Sequence, residues 1–124
     1  MPDETDELLL ADVNSWRQWL EANHAKAPVA WVVVKKKGAA APTQLTFEEA
    51  LREAACFGWV DNKSRSRDAV TDRLRFTPRR PGSNWTPGNI RIAEELIASG
   101  RMHAAGLAEV ERARSDGRWE SGSR

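Results

Sequence analysis

The run from Trp59 to Asn89 gathers the side chains of this sequence best suited to chemistry. Arg73 and Arg75 alternate with Leu74 and Phe76, so a strand there carries one buried and one cationic face. A Pro-bounded turn holding Arg79, Arg80, Ser83, Asn84 and Trp85 follows, and Thr86 and Pro87 then open a helix bearing Asn89. A helix N-terminus exposes unpaired N–H groups and partial positive charge, and arginine adds planar bidentate donors; both suit a phosphate or carboxylate. Trp59 or Trp85 could stack on a base or another planar group. One reading is therefore an anion or nucleotide site. The other has the arginines paired with the acidic start of the chain and Trp85 filling the core.

Other chemistry-bearing residues assemble less. Asp61, followed by Asn62 and Lys63, could orient the arginines or act as a general base, although such a carboxylate is more often a fixed ion-pair partner. His24 and His103 lie far apart in sequence with no Glu or Cys at ligand spacing, so no metal site is expected. Cys56, the single cysteine, excludes an internal disulfide and reads as an inert packing residue. Lys35, Lys36 and Lys37 read as a solvated strand end rather than a separate binding patch. No nucleophile elbow, phosphate-binding glycine loop or zinc-protease motif is present, so no catalytic set assembles and no cofactor is expected.

Composition sets the frame. With 124 residues, 40% hydrophobic and 30% charged, the chain has the size and make-up of one globular domain. Lys plus Arg is 19 and Asp plus Glu is 18, which excludes a uniformly basic nucleic-acid binder. The balance hides an asymmetry: residues 1–25 carry six acids and one base, whereas 61–91 carry eight bases and three acids. The longest apolar run, Val29–Val34, is far too short to span a membrane. The start MPDETDELLLAD lacks the basic opening and long apolar stretch of a secretory signal. A flexible acidic leader over 1–12 and a cytoplasmic location are expected. The six Trp each bring large burial area and read first as core anchors.

These elements must position the site. Val13, Trp16, Trp19 and Leu20 fall at helical spacing behind Asp12 as N-cap, and Pro28 ends that helix. The segment AWVVVKKK (30–37) reads as a central strand covered on both faces. Thr46 and Glu49 form a capping box ahead of Phe47, Ala50, Leu51, Ala54 and Ala55, and that helix stops near Gly58. GWVDNK and DRLRFTP read as an antiparallel hairpin. Ile90, Ala93, Leu96 and Ile97 predict the buried stripe of the next helix, and a last helix over about 105–115 turns Leu107 and Val110 inward. The expected class is α+β: a small, mostly antiparallel three-stranded sheet with about four helices over 13–119, and a flexible tail over 120–124.

Five segments, SWRQWLEANH, AWVVVKKK, LTFEEALREAACFGWVDNK, RFTPRRPGSNWTPGNI and LIASGRMHAAGLAEVERARSDGRW, together resemble the YdeI/OmpD-associated family, also called bacteriocin-protection proteins. The resemblance covers about residues 14–119. It implies a link to tolerance of cationic antimicrobial peptides and bacteriocins, without an established reaction or cofactor. Its signature falls on Gly58, Trp59, Asp61, Arg75, Phe76, Pro78, Arg79, Arg80, Ser83, Trp85 and Asn89. Members often continue beyond the GRW segment with a further basic helical region.

The functional expectation is a non-enzymatic binding domain that holds an anionic small molecule or a protein partner. Its expected site residues are Trp59, Asp61, Lys63, Arg75, Arg79, Arg80, Ser83, Asn84, Trp85 and Asn89. The alternatives are a small enzyme on a phosphorylated or carboxylated substrate with Asp61 as base, and a nucleic-acid-binding module using the basic block 61–91.

Overall fold

The computed structural model describes residues 7–122. It is an α+β fold with a four-stranded mixed sheet. The elements are β1 (Glu7–Leu8), α1 (Val13–Asn23), β2 (Ala30–Lys35), α2 (Phe47–Cys56), β3 (Trp59–Ser66), β4 (Thr71–Pro78), α3 (Pro87–Ala98), α4 (Ala104–Ser115) and α5 (Arg118–Gly122). The sheet order is β1-β2-β4-β3. β1 runs parallel to β2, and the other pairings are antiparallel.

The sheet thus has one strand more than the expected three. β1 lies within the run expected to be a flexible leader, where Glu7 and Leu8 pair with Trp31 and Val32. Side chains hold it there. Leu8 and Leu10 pack on the core, and Glu7 reaches Arg67 at 2.8 Å and Arg73 at 3.3 Å. The buried Thr43 hydroxyl donates to the Leu10 carbonyl, and the Gln44 N–H donates to that of Ala11. Residues 1–6 of the expected leader lie outside the described residues. At the other end, part of the expected tail belongs to α5, and 123–124 lie outside.

β2 is an interior strand with Ala30 to Val34 buried, because both of its faces are covered. Ala30, Val32 and Val34 share a core with Leu74 and Phe76 of β4, Trp16 and Leu20 of α1, and Ala50 and Ala54 of α2. α1 is capped by Asp12, which accepts from the Ser15 N–H at 3.0 Å, and α2 by the Thr46–Glu49 capping box. The Trp16 indole N–H ties the two helices by donating to the Ala50 carbonyl at 3.0 Å. Asp68 closes the β3–β4 hairpin: one carboxylate oxygen accepts from the Val70 and Thr71 N–H groups and the Thr71 hydroxyl. These bonds, the Thr71 hydroxyl first, hold that carboxyl below its usual range. β3 runs to Ser66, beyond the expected GWVDNK, because this turn needs only residues 67–70.

Two expected buried positions differ. Ile97 is 36% exposed, because α3 buries a narrow stripe of Ile90, Ala93 and Leu96. On α4 the inward residues are Gly106, Val110 and Ala113, with Leu107 only half-buried. Gly106 sets that rotation. A Cβ built on it would sit 2.3 Å from the Cys56 carbonyl oxygen and 2.6 Å from the Met102 sulfur, so α4 lies directly on the backbone at the end of α2.

Gly106→Ala is therefore expected to cost about 3 kcal/mol in urea unfolding, since backbone must move to admit the methyl group. Gly38→Ala, at φ +76° with open space around it, should cost only the left-handed backbone penalty of about 1 kcal/mol. Equal costs at the two sites would show that the contact at Gly106 is not tight.

Candidate functional site

The register of the hairpin decides which cations meet. β3 pairs regularly with β4 up to Asp61 opposite Phe76, and then slips so that Lys63 stands opposite Arg75. Asn62 is the extra residue, a β-bulge. Its side chain accepts from the Arg75 guanidinium at 3.0 Å and donates to the Thr77 hydroxyl at 2.8 Å. After the bulge, Lys63 faces Arg75 and Arg65 faces Arg73, two successive like-charge pairs on the sheet face opposite the Leu74–Phe76 core. Directly opposed like charges destabilise a sheet.

Lys63, Arg75, Arg79, Arg80 and Ser83 line an open groove of about 870 Å³ on this face. Pro28 and Thr77 contribute to its walls, and Ser83 N–H bonds the Arg80 carbonyl at 3.0 Å to form its turn. The side chains of Lys63, Arg65 and Arg80 are exposed and make no hydrogen bond or ion pair among the described residues. Arg67 and Arg73 instead pair with Glu7, as the structural reading of the arginines anticipated, and Arg73 also lies 4.8 Å from the centre of the Trp31 ring.

Arg79 separates this groove from an interior cavity. Its guanidinium stacks on Trp85 with 3.7 Å to the ring centre, and it donates to the Ser83 hydroxyl and the Asn84 carbonyl at 3.1 and 3.0 Å. Burial brings its pKa down to about 10; Glu109 opposes this and Arg118 adds to it. Arg79 is still a cation at neutral pH.

Trp59, Asp61, Trp85 and Asn89 line the cavity with Leu51, Ile92 and Gly106. Its volume of about 30 Å³ admits one water but no metabolite. Trp59 and Trp85 are 2% and 8% exposed, so neither presents a ring for a base to stack on. The buried Trp85 indole N–H has no partner among the described residues.

The ten expected residues therefore divide. Five belong to the groove, five to the cavity with Arg79 in both, and Asn84 lies beside the Trp85–Arg118 surface. Asp61 is exposed at the start of β3 and lines the cavity rim, where only a water-sized space adjoins it. Thr86 caps α3 by accepting from the Asn89 N–H at 3.1 Å, so the Asn89 backbone donor is already engaged.

Sequence reasoning missed a second cluster. Glu53, 4% exposed on α2, accepts from Arg17 and Arg101, each at 2.6 Å. The signal was available: Glu53 sits three residues after Ala50, on the apolar stripe of α2. Burial, with Glu53 beside it, pushes the Cys56 thiol up, which suits an inert thiol. His24 and His103, remote in sequence, meet here with ring centres 5.1 Å apart and flank Phe57. Among the described residues no group of three or more His, Cys, Asp or Glu could hold a metal. No helix among them is long and apolar enough to cross a membrane.

Glu53→Gln keeps the shape of this cluster but removes the buried carboxylate that Arg17 and Arg101 share. A loss of about 2 kcal/mol in urea unfolding is expected, below the usual cost of breaking a buried pair because Arg101 is half-exposed. An unchanged midpoint would make the two arginine contacts incidental.

No curated protein and no solved structure shows significant similarity to the chain. A family model does: residues 8–109, from β1 through the middle of α4, match the one described as Domain of unknown function (DUF8412). That span takes in β2 to β4 with Leu8 of β1, the groove and the cavity wall, and the chain belongs to the DUF8412 family.

Proposed function

We propose that the chain is a non-enzymatic binding domain whose groove, lined by Lys63, Arg75, Arg79, Arg80 and Ser83, holds an anionic ligand. The observation that carries this reading is the pair of opposed cations left by the Asn62 bulge, Lys63 with Arg75, both of which line the groove. A sheet face that accepts this repulsion gains most when an anion lies across it. The groove volume of about 870 Å³ is that of a small-molecule site, whereas the cavity behind Arg79 has no room for a substrate. This weighs against an enzyme using Asp61 as base. Burial of Trp59 and Trp85 removes the stacking that single-stranded nucleic acid would use, which favours a phosphorylated or carboxylated small molecule. The resemblance to bacteriocin-protection proteins suggests a setting for this binding in tolerance of antimicrobial peptides.

The test is an amide NMR titration with inorganic phosphate, a nucleotide and a short oligonucleotide. Shifts are expected at residues 62–65 and 75–83. Arg80→Ala and Lys63→Ala should each weaken phosphate binding about tenfold while the fold survives, because both side chains are exposed and bear no internal contacts. No shift with any of the three would overturn the reading. Tightest binding to the oligonucleotide, with affinity falling steeply with salt, would transfer the site to nucleic acid.

A further inference from the structure

His103 occupies the N-cap of α4, a position usually held by Ser, Thr, Asp or Asn. Its Nδ1 accepts from the Ala105 N–H at 3.0 Å. A backbone N–H can only donate, so this nitrogen carries a lone pair and the proton resides on Nε2. The His103 N–H in turn donates to the Cys56 carbonyl at 3.0 Å, which fastens the start of α4 to the end of α2. The ring is stacked on Phe57, 4.4 Å between centres.

The surroundings fix what a second proton would meet. From α1 come Arg17 and Glu21, with His24 at its C-cap; from α2 come Glu53 and Cys56; from the segment before α4 comes Arg101. Glu53 is already engaged by both arginines. The His24 Nδ1 donates to the Leu20 carbonyl at 2.8 Å, which holds that ring in place at the end of α1. A proton on His103 Nδ1 would abolish the cap, place positive charge on the positive end of the helix dipole, and set it beside Arg17 and His24.

We propose that His103 is a pH-sensitive clasp for α4: the neutral ring caps and docks the helix, and protonation releases it. The released element is the one that matters to the site. Gly106 of α4 lines the cavity, and Val110 and Ala113 pack with Trp85, on which Arg79 stacks. Acid therefore loosens the wall between cavity and groove. The clasp stands on its own geometry and does not depend on what the groove binds.

The direction of the pH dependence follows from the same contacts. Burial, then His24, then Arg17 hold folded His103 below the usual histidine value, with Glu21 acting against them. The folded chain thus binds fewer protons than the unfolded one in this range. The contribution to stability is complete above about pH 6.5 and declines as pH falls through the folded value.

Amide hydrogen exchange, corrected for intrinsic rates, tests the clasp between pH 7.5 and 5.5. In the wild type, α4 amides from Leu107 to Ala113 should lose about tenfold in protection relative to those of β2, the equivalent of one helix cap. His103→Asn supplies a capping oxygen that does not titrate, and its α4 protection should stay flat. Unchanged protection in the wild type, or the same loss in His103→Asn, would overturn the proposal. Ring nitrogen shifts of wild-type His103 provide a test independent of the variant: Nε2–H at pH 7.5 supports the clasp, and Nδ1–H overturns it.

Discussion

The site depends on a backbone contact three residues long. At Cys56, Phe57 and Gly58, helix α2 ends, strand β3 begins and α4 crosses over both. Gly106 allows the crossing because any side chain there would overlap the Cys56 carbonyl. Gly58 turns the chain at φ +76°, and its carbonyl accepts from the Arg79 N–H at 2.9 Å. The start of β3 and the end of β4 are thereby pinned at the same point. Trp59 enters the core from that point, Arg79 leaves it to lie over Trp85, and the small cavity is the space between them. Close-packed backbone transmits position well, so the groove inherits its geometry from this junction.

The basic block that dominates the sequence has no single role in the fold. Arg67 and Arg73 share Glu7, and Arg67 also pairs with Asp68, which explains how a two-residue strand in an acid-rich run is held at the sheet edge. Arg79 is half-buried, and its contacts with Trp85, Ser83 and Asn84 serve the turn between β4 and α3. Lys63, Arg65, Arg80 and Arg91 face solvent. A net charge summed along the chain cannot separate these roles, because each depends on a partner far away in sequence.

What was legible in the sequence was local. The capping box at Thr46, the Thr86–Pro87 helix start, the interior strand of β-branched residues and the hairpin all follow from residues within a few positions of one another. The missing features are long-range. β1 has no strand signature in two residues and exists only through its parallel pairing with β2. The Asn62 bulge depends on register, which alternation along one strand does not specify. Ile97 obeys helical spacing yet lies at the margin of the stripe, where the neighbouring elements decide burial. The expected site residues lie close together in the structure, but the two indoles offered for stacking are core residues, as their type first implied.

α4 combines a tight contact with a conditional one. Gly106 makes its docking intolerant of small displacements, and His103 makes its first turn depend on one lone pair. Asparagine or serine at that cap would hold the helix at every physiological pH, with no need for the rings of Phe57 and His24 around it. Placing an imidazole there, between an arginine, a second histidine and the positive end of a helix, makes the neutral form the one that fits. Because Trp85 packs on the same helix, a change at one end of α4 reaches Arg79 through contacts that are already formed, without a separate hinge.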